Sequence, residues 1–275
     1  MNSRIDKKEK NRIIEIDIIR GIAVLFMIFD HFIFDLWGVL PVVFKDYPRS
    51  DFSIKLYNFA VNYWLWDFRE AFRYVVVFLF LGIVGVCASF SRNNINRGKK
   101  LLMVALFLTI GTLIFSIISG SYSNIILFGT LHCIALSLVF VGLLEKVVKK
   151  DYVYLLLGTL MLLVGIYFEF IYEVVQISSS SSLFDIIRIV LGQFIGIYEC
   201  GGDTMPILLN GGQVFIGVYI GKTLYKKKES LFKKKYSNNV ITFIGRNSLV
   251  IYFLHQILIP ILLIIIFMIL GFTLV

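Results

Sequence analysis

The sequence predicts an all-α fold, a polytopic membrane helix bundle of about seven transmembrane helices. Hydrophobic residues make up 58% of the 275 positions, only 16% are charged, and apolar runs long enough to cross a bilayer recur from end to end. Hydropathy places helices near 13–40, 69–90, 99–119, 124–146, 152–174, 205–224 and 243–271. The stretches 41–69, 174–204 and 222–240 are too short to bury a core of their own. Residues 13–275 therefore read as a single transmembrane domain, preceded by a basic segment at 1–12.

The first helix follows a basic start, as a secretory signal would. Its run from Ile13 to Leu40 instead carries Asp17, Arg20, Asp30, His31 and Asp35, with no small-residue cleavage site after it, which predicts a retained helix. Beyond the first helix, lysines and arginines cluster in alternate connections. The segments 1–12, 91–100, 146–150 and 222–235 hold five, four, three and seven; the opposite connections hold four between 41 and 69 and only Arg188 between 174 and 204. The positive-inside rule then puts the N-terminus in the cytoplasm and, with seven crossings, the C-terminus outside. The run 184–198 is apolar but short and contains Arg188, so it reads as interfacial or re-entrant, after an outer serine linker at 178–182.

Composition also excludes some classes. The net charge of +9 arises from basic residues at helix ends rather than a polar surface interleaved with aromatics, which argues against nucleic acid. Cys87, Cys133 and Cys200 form no Cys-x-x-Cys pair, so a metal site is not expected and the thiols read as small buried hydrophobes.

Asp17, Arg20, His31 and Asp35 share one face of the first helix, within an arc of about 60° at 100° per residue. Asp30 points away from it, and Gly21 lies beside it where a neighbouring backbone could approach closely. A charge in hydrocarbon costs about 2.5 kcal/mol or more, so a face that keeps several is a functional candidate. The bland alternative for Asp17 and Arg20 is an interfacial ion pair. Asp35, one turn beyond His31, is placed to orient the imidazole as a general base or acyl relay. Arg20 and His31 are about 16 Å apart along the helix, a separation suited to a long ligand with phosphates at one end, such as coenzyme A.

The segment from Glu15 to His31, with Ser89–Lys100, Phe128–Cys133 and Gly245–Gln256, resembles in order the signatures of bacterial membrane proteins like heparan-alpha-glucosaminide N-acetyltransferase. Arginine followed after ten residues by histidine is also similar to the motif of the acyltransferase-three family. The resemblance covers most of the chain. It implies a multi-pass cell-membrane acyltransferase that takes an acetyl group from cytoplasmic acetyl-CoA, as co-substrate rather than tightly bound cofactor, to a sugar or glycolipid at the outer face of the cell envelope. Where relatives carry Asp-Tyr-x-Pro-x-x-Pro-Trp, this chain reads Asp203-Thr-Met-Pro206 and lacks the second proline and the tryptophan.

In that reading His31 and Asp35 are catalytic. Asp17, Arg20, Arg92, Asn93, Asn94, Arg97, Arg246 and Asn247 bind acyl-CoA, the last two through backbone donors at the start of the final helix. His132, His255 and Asp203 are supporting or acceptor-site candidates, with a structural hydrogen bond as the alternative for each histidine. Membrane lipid is the other partner, and a homo-oligomer is compatible with the sequence. The competing reading is a proton-coupled transporter with Asp17, Arg20 and His31 as its relay.

Overall fold

The computed structural model describes residues 12–119, 122, 125–177, 181–232 and 239–275; most of the basic N-terminal segment and of the serine linker lies outside them. As predicted, the fold is all-α, apart from two-residue strands β1 (Glu173–Val174) and β2 (Tyr198–Glu199) paired in parallel. Among the described residues, six helical stretches are long and apolar enough to cross a membrane: Ile14–Val43, Asp67–Ser89, Asn94–Ile118, Thr130–Val147, Tyr152–Glu169 and Ser248–Ile269. Their outward faces are apolar, with Phe107, Ile118 and Leu160 more than half exposed, which suits hydrocarbon and not water. The chain is a multi-pass membrane protein.

The described residues fall into two compact units, the first from the chain start to Phe80 with Phe232–Val275, the second Leu81–Leu231. The first begins with α1 (Ile14–Phe34), which runs through a π turn, Asp35–Val39, into the short α2 (Leu40–Val43). Pro41 explains the wide turn, because it lacks the N–H that would bond one α-turn back, and the Leu40 N–H reaches Asp35 instead.

Next comes α3 (Asp51–Trp64), a helix not anticipated in the stretch 41–69; Ser50 and Ser53 start it with reciprocal capping bonds. Helix α4 (Asp67–Ser89) follows, and the boundary between the units falls within it. The chain re-enters the first unit at α10 (Val240–Arg246) and α11 (Ser248–Ile269). Ile33, Leu36, Leu40 and Phe44 bury themselves against Leu263, Phe267 and Phe272 to form its core. Outside the spans, Asp46 ties the chain end by accepting from the Thr273 N–H at 3.0 Å, and that bond, aided by Arg49, holds its carboxyl below the usual range.

The second unit holds α5 (Asn94–Ser119), α6 (Thr130–Val147), α7 (Tyr152–Glu169), α8 (Leu183–Ile195) and α9 (Gly212–Thr223), the last preceded by a π turn at Ile207–Gly211. The composite Ile207–Thr223 corresponds to the helix expected at 205–224 and is not among the six long apolar stretches. The run expected at 184–198 is α8; at 13 residues it is about 20 Å long, short of a bilayer's hydrocarbon core, and it ends at Gly196 with φ +104°.

Candidate functional site

The first unit assembles its polar side chains at two levels along α1. At the lower level α10 lies directly on α1. A Cβ added to Gly21 would sit 2.1 Å from the Ile241 carbonyl oxygen, and one on Gly245 would sit 1.8 Å from that of Asp17. Two glycines thus bring the backbones together, as the sequence anticipated for Gly21. Arg20 spans the joint: its Nη1 donates to the Gly245 carbonyl at 3.2 Å and lies 3.7 Å from Asp17. Asp17 is buried and pairs with Arg12 at 2.8 Å.

Asn247 caps the start of the last helix, as expected, but Arg246 does not open it. Helix α10 ends at Arg246, and Asn247 is the hinge before α11. Its N–H and its side-chain amide both return to the Phe243 carbonyl, so these donors close the preceding helix rather than face an anion. Arg246 lies over the Phe243 ring at 5.6 Å.

The upper level is built around His31. Its Nδ1 lies 2.9 Å from the Met27 carbonyl, one turn earlier, and must donate to it. In the neutral ring Nε2 is then an acceptor, and the Gln256 amide nitrogen faces it at 3.3 Å. His255 repeats the arrangement on α11: its Nδ1 is 3.3 Å from the Ile251 carbonyl, and its ring meets His31 edge-on at 4.9 Å. The Nε2 of His255 is buried with no hydrogen-bond partner among the described residues, and the ring is 5% exposed, whereas His31 and Gln256 are half-buried.

Asp35 does not orient His31. Both ring nitrogens already have partners, and the carboxylate, buried in the π turn, makes no side-chain hydrogen bond among the described residues. The turn from His31 to Asp35 is a regular α-turn, with the Asp35 N–H on the His31 carbonyl, so the two share a face as the spacing implied, but the imidazole takes its partners from Met27 and Gln256.

Asp30, set aside in the sequence as pointing away, anchors a third cluster. Arg69 forms a two-pronged ion pair with it, one bond 2.8 Å, while Tyr63 donates to the same carboxylate at 3.2 Å. The guanidinium stacks 3.7 Å over Trp64. Burial, and then the nearby Asp30 carboxylate, push the Tyr63 hydroxyl upward. This cluster ties α1 to α3 and α4.

The second unit holds the remaining candidates. Asn94 is buried and donates to the Ala88 carbonyl at 2.9 Å and to Glu145 at 3.1 Å, so it joins the ends of α4, α5 and α6. Asn93 accepts from the Asn96 N–H, Arg97 reaches the Cys87 carbonyl at 3.4 Å, and Arg92 is exposed.

His132 accepts from the Gly129 N–H at Nδ1, 3.3 Å, which leaves Nε2 to donate to Thr109 at 3.2 Å. Asp203 accepts from the Thr130 N–H at 2.8 Å and from its hydroxyl at 3.3 Å, at the start of α6. Both residues fasten the start of α6. Among the described residues no group of three His, Cys, Asp or Glu side chains could hold a metal ion.

The residue that sequence reasoning missed is Gln256. Its signal was present as a lone amide in the middle of α11, a 22-residue helix otherwise nearly free of polar side chains.

A family model described as "Heparan-alpha-glucosaminide N-acetyltransferase, catalytic" matches residues 12–45 and 50–257. No curated protein and no solved structure matches the chain.

Proposed function

Because this chain belongs to the heparan-alpha-glucosaminide N-acetyltransferase catalytic family, we propose that it moves an acetyl group from cytoplasmic acetyl-CoA to a carbohydrate amine or hydroxyl at the outer face of the cell membrane. The observation that carries this reading is His31. It is a half-buried imidazole inside a membrane-spanning helix, with its Nδ1–H on a carbonyl and its Nε2 lone pair turned toward an amide rather than toward lipid. That tautomer is the nucleophilic one at Nε2.

Arg20 and Arg246 stand at the other level of the same unit, about 16 Å along α1 from His31, and are assigned to the phosphates of the donor. The thioester then reaches His31 while the nucleotide stays near the cytoplasmic end. The excess of lysine and arginine on that side, with the N-terminus cytoplasmic, supports this direction. Passing the acyl group through the imidazole lets the sugar remain outside.

Purified protein in lipid nanodiscs, given acetyl-CoA labelled in the acetyl group and either a glucosaminide or an N-blocked sugar, should label one of them. His31→Ala should abolish this, and quenching the wild type before acceptor is added should trap label on His31. Wild-type protein that leaves every acceptor unlabelled, or a His31→Ala protein of full activity, overturns the proposal. Solute flux without acyl-CoA would instead favour the transporter reading.

A further inference from the structure

The Gln256 amide is 3.3 Å from the nitrogen at which the proposed reaction occurs. It sits on an apolar span, is half-buried, and among the described residues its side-chain amide meets His31, 225 residues away. Leucine or methionine would fill such a position at less cost to membrane insertion. A neutral donor held against a lone pair is also a donor held against whatever bonds to that lone pair.

We infer that Gln256 is a catalytic residue, donating its amide N–H to the oxygen of the acyl group as negative charge develops on it. This rests on the reading of His31 as the acyl carrier. The Nε2 lone pair attacks the thioester carbonyl carbon, a C–N bond forms, and the carbonyl π pair moves onto oxygen. An acyl oxygen attached through carbon to Nε2 lies about 2.3 Å from that nitrogen, so a small rotation of the amide carries its N–H from nitrogen to oxygen.

When the oxyanion collapses, the C–S bond breaks and its electron pair leaves on the coenzyme A sulfur as thiolate. In the second half the acceptor oxygen or nitrogen attacks the acyl carbon, and the C–N pair returns to Nε2. The acceptor's proton passes to solvent, from which the thiolate is protonated. The Nδ1–H stays on Met27 throughout and offsets the charge of the acylated ring. His255, edge-on to His31 and with its own Nδ1 on Ile251, backs the ring and fixes its plane.

The test compares Gln256→Met, which keeps length and removes the donor, with Gln256→Glu, which keeps shape and replaces donor by acceptor. Both are assayed for steady-state turnover and single-turnover acylation of His31 in nanodiscs, with folding checked by thermal unfolding. Loss of a transition-state donor should lower kcat and the acylation rate about 10²-fold or more, with KM for acetyl-CoA within about threefold. If either folded variant keeps kcat within threefold of wild type, Gln256 has no such role. A rise in KM at unchanged kcat likewise overturns it, because that is the mark of ground-state binding. Wild-type protein that transfers no acetyl group fails the underlying reading instead, whatever the Gln256 variants do.

Discussion

His31 and His132 are both imidazoles within candidate membrane spans, and they do opposite things with their two nitrogens. His132 is closed: Nδ1 takes a backbone N–H at the start of its own helix, Nε2 donates to Thr109, and that hydroxyl in turn donates to the Ile126 carbonyl at 2.7 Å. It is buried, and a ligand would have to break the connection it makes. His31 is half-buried, and its Nε2 partner is a side-chain amide on another helix that a rotation can remove. An ionisable residue in a bilayer is a functional candidate by default, but the partners decide. A ring held by backbone and a short hydroxyl braces helices, whereas a ring held by one backbone carbonyl and one side-chain amide keeps the nitrogen that the proposed reaction requires.

Four substitutions sharpen this contrast or break it. The largest effect belongs to His31→Ala, for which acetyl transfer should fall on the order of 10³-fold or more while thermal stability changes little. Second is Arg69→Ala, which leaves the Asp30 carboxylate unpaired in the membrane and should cost about 3 kcal/mol, read as a lowered unfolding midpoint in detergent. Pairing it with Asp30→Asn should recover much of that loss; a double variant no more stable than Arg69→Ala would mean that the ion pair is not what holds α1 to α4.

His132→Ala should lower stability by about 1–3 kcal/mol, since it leaves the Gly129 N–H and the Thr109 hydroxyl short of a partner. Turnover by the protein that remains folded should stay within about threefold, and a His132 variant as inactive as His31→Ala would erase the distinction between the two rings. The smallest effect is that of Asp203→Ala, about 1 kcal/mol from loss of the bond to the Thr130 N–H, measured as a modest fall in the same midpoint. A change in acceptor preference without loss of stability would return Asp203 to an acceptor site.

Some of the candidate site was legible before any coordinates. Gly21 was readable as a place of close approach, because a missing Cβ in an apolar span has few other uses. His31 stood out for the cost of a polar ring in lipid. Asp35 misled because a shared helical face does not say which atoms bond: the turn from His31 to Asp35 is regular, yet the imidazole nitrogens meet the Met27 carbonyl and an amide from another helix. Asn94, read in the sequence as an acyl-CoA contact, is buried against Glu145 where three helix ends pack, which no local pattern reveals.

What the sequence by itself determined are the properties that are local and additive: the membrane class, the spans, the lysine and arginine asymmetry, and the ordered segments that mark the family. Transfer free energy sums along a stretch of about twenty residues, so it needs no knowledge of neighbours. Only the tertiary structure decided which partners each imidazole has. A hydrogen bond depends on a few tenths of an ångström and on the rotation of one helix against another, and the partner of His31 lies 225 residues along the chain. No window in the sequence spans that distance.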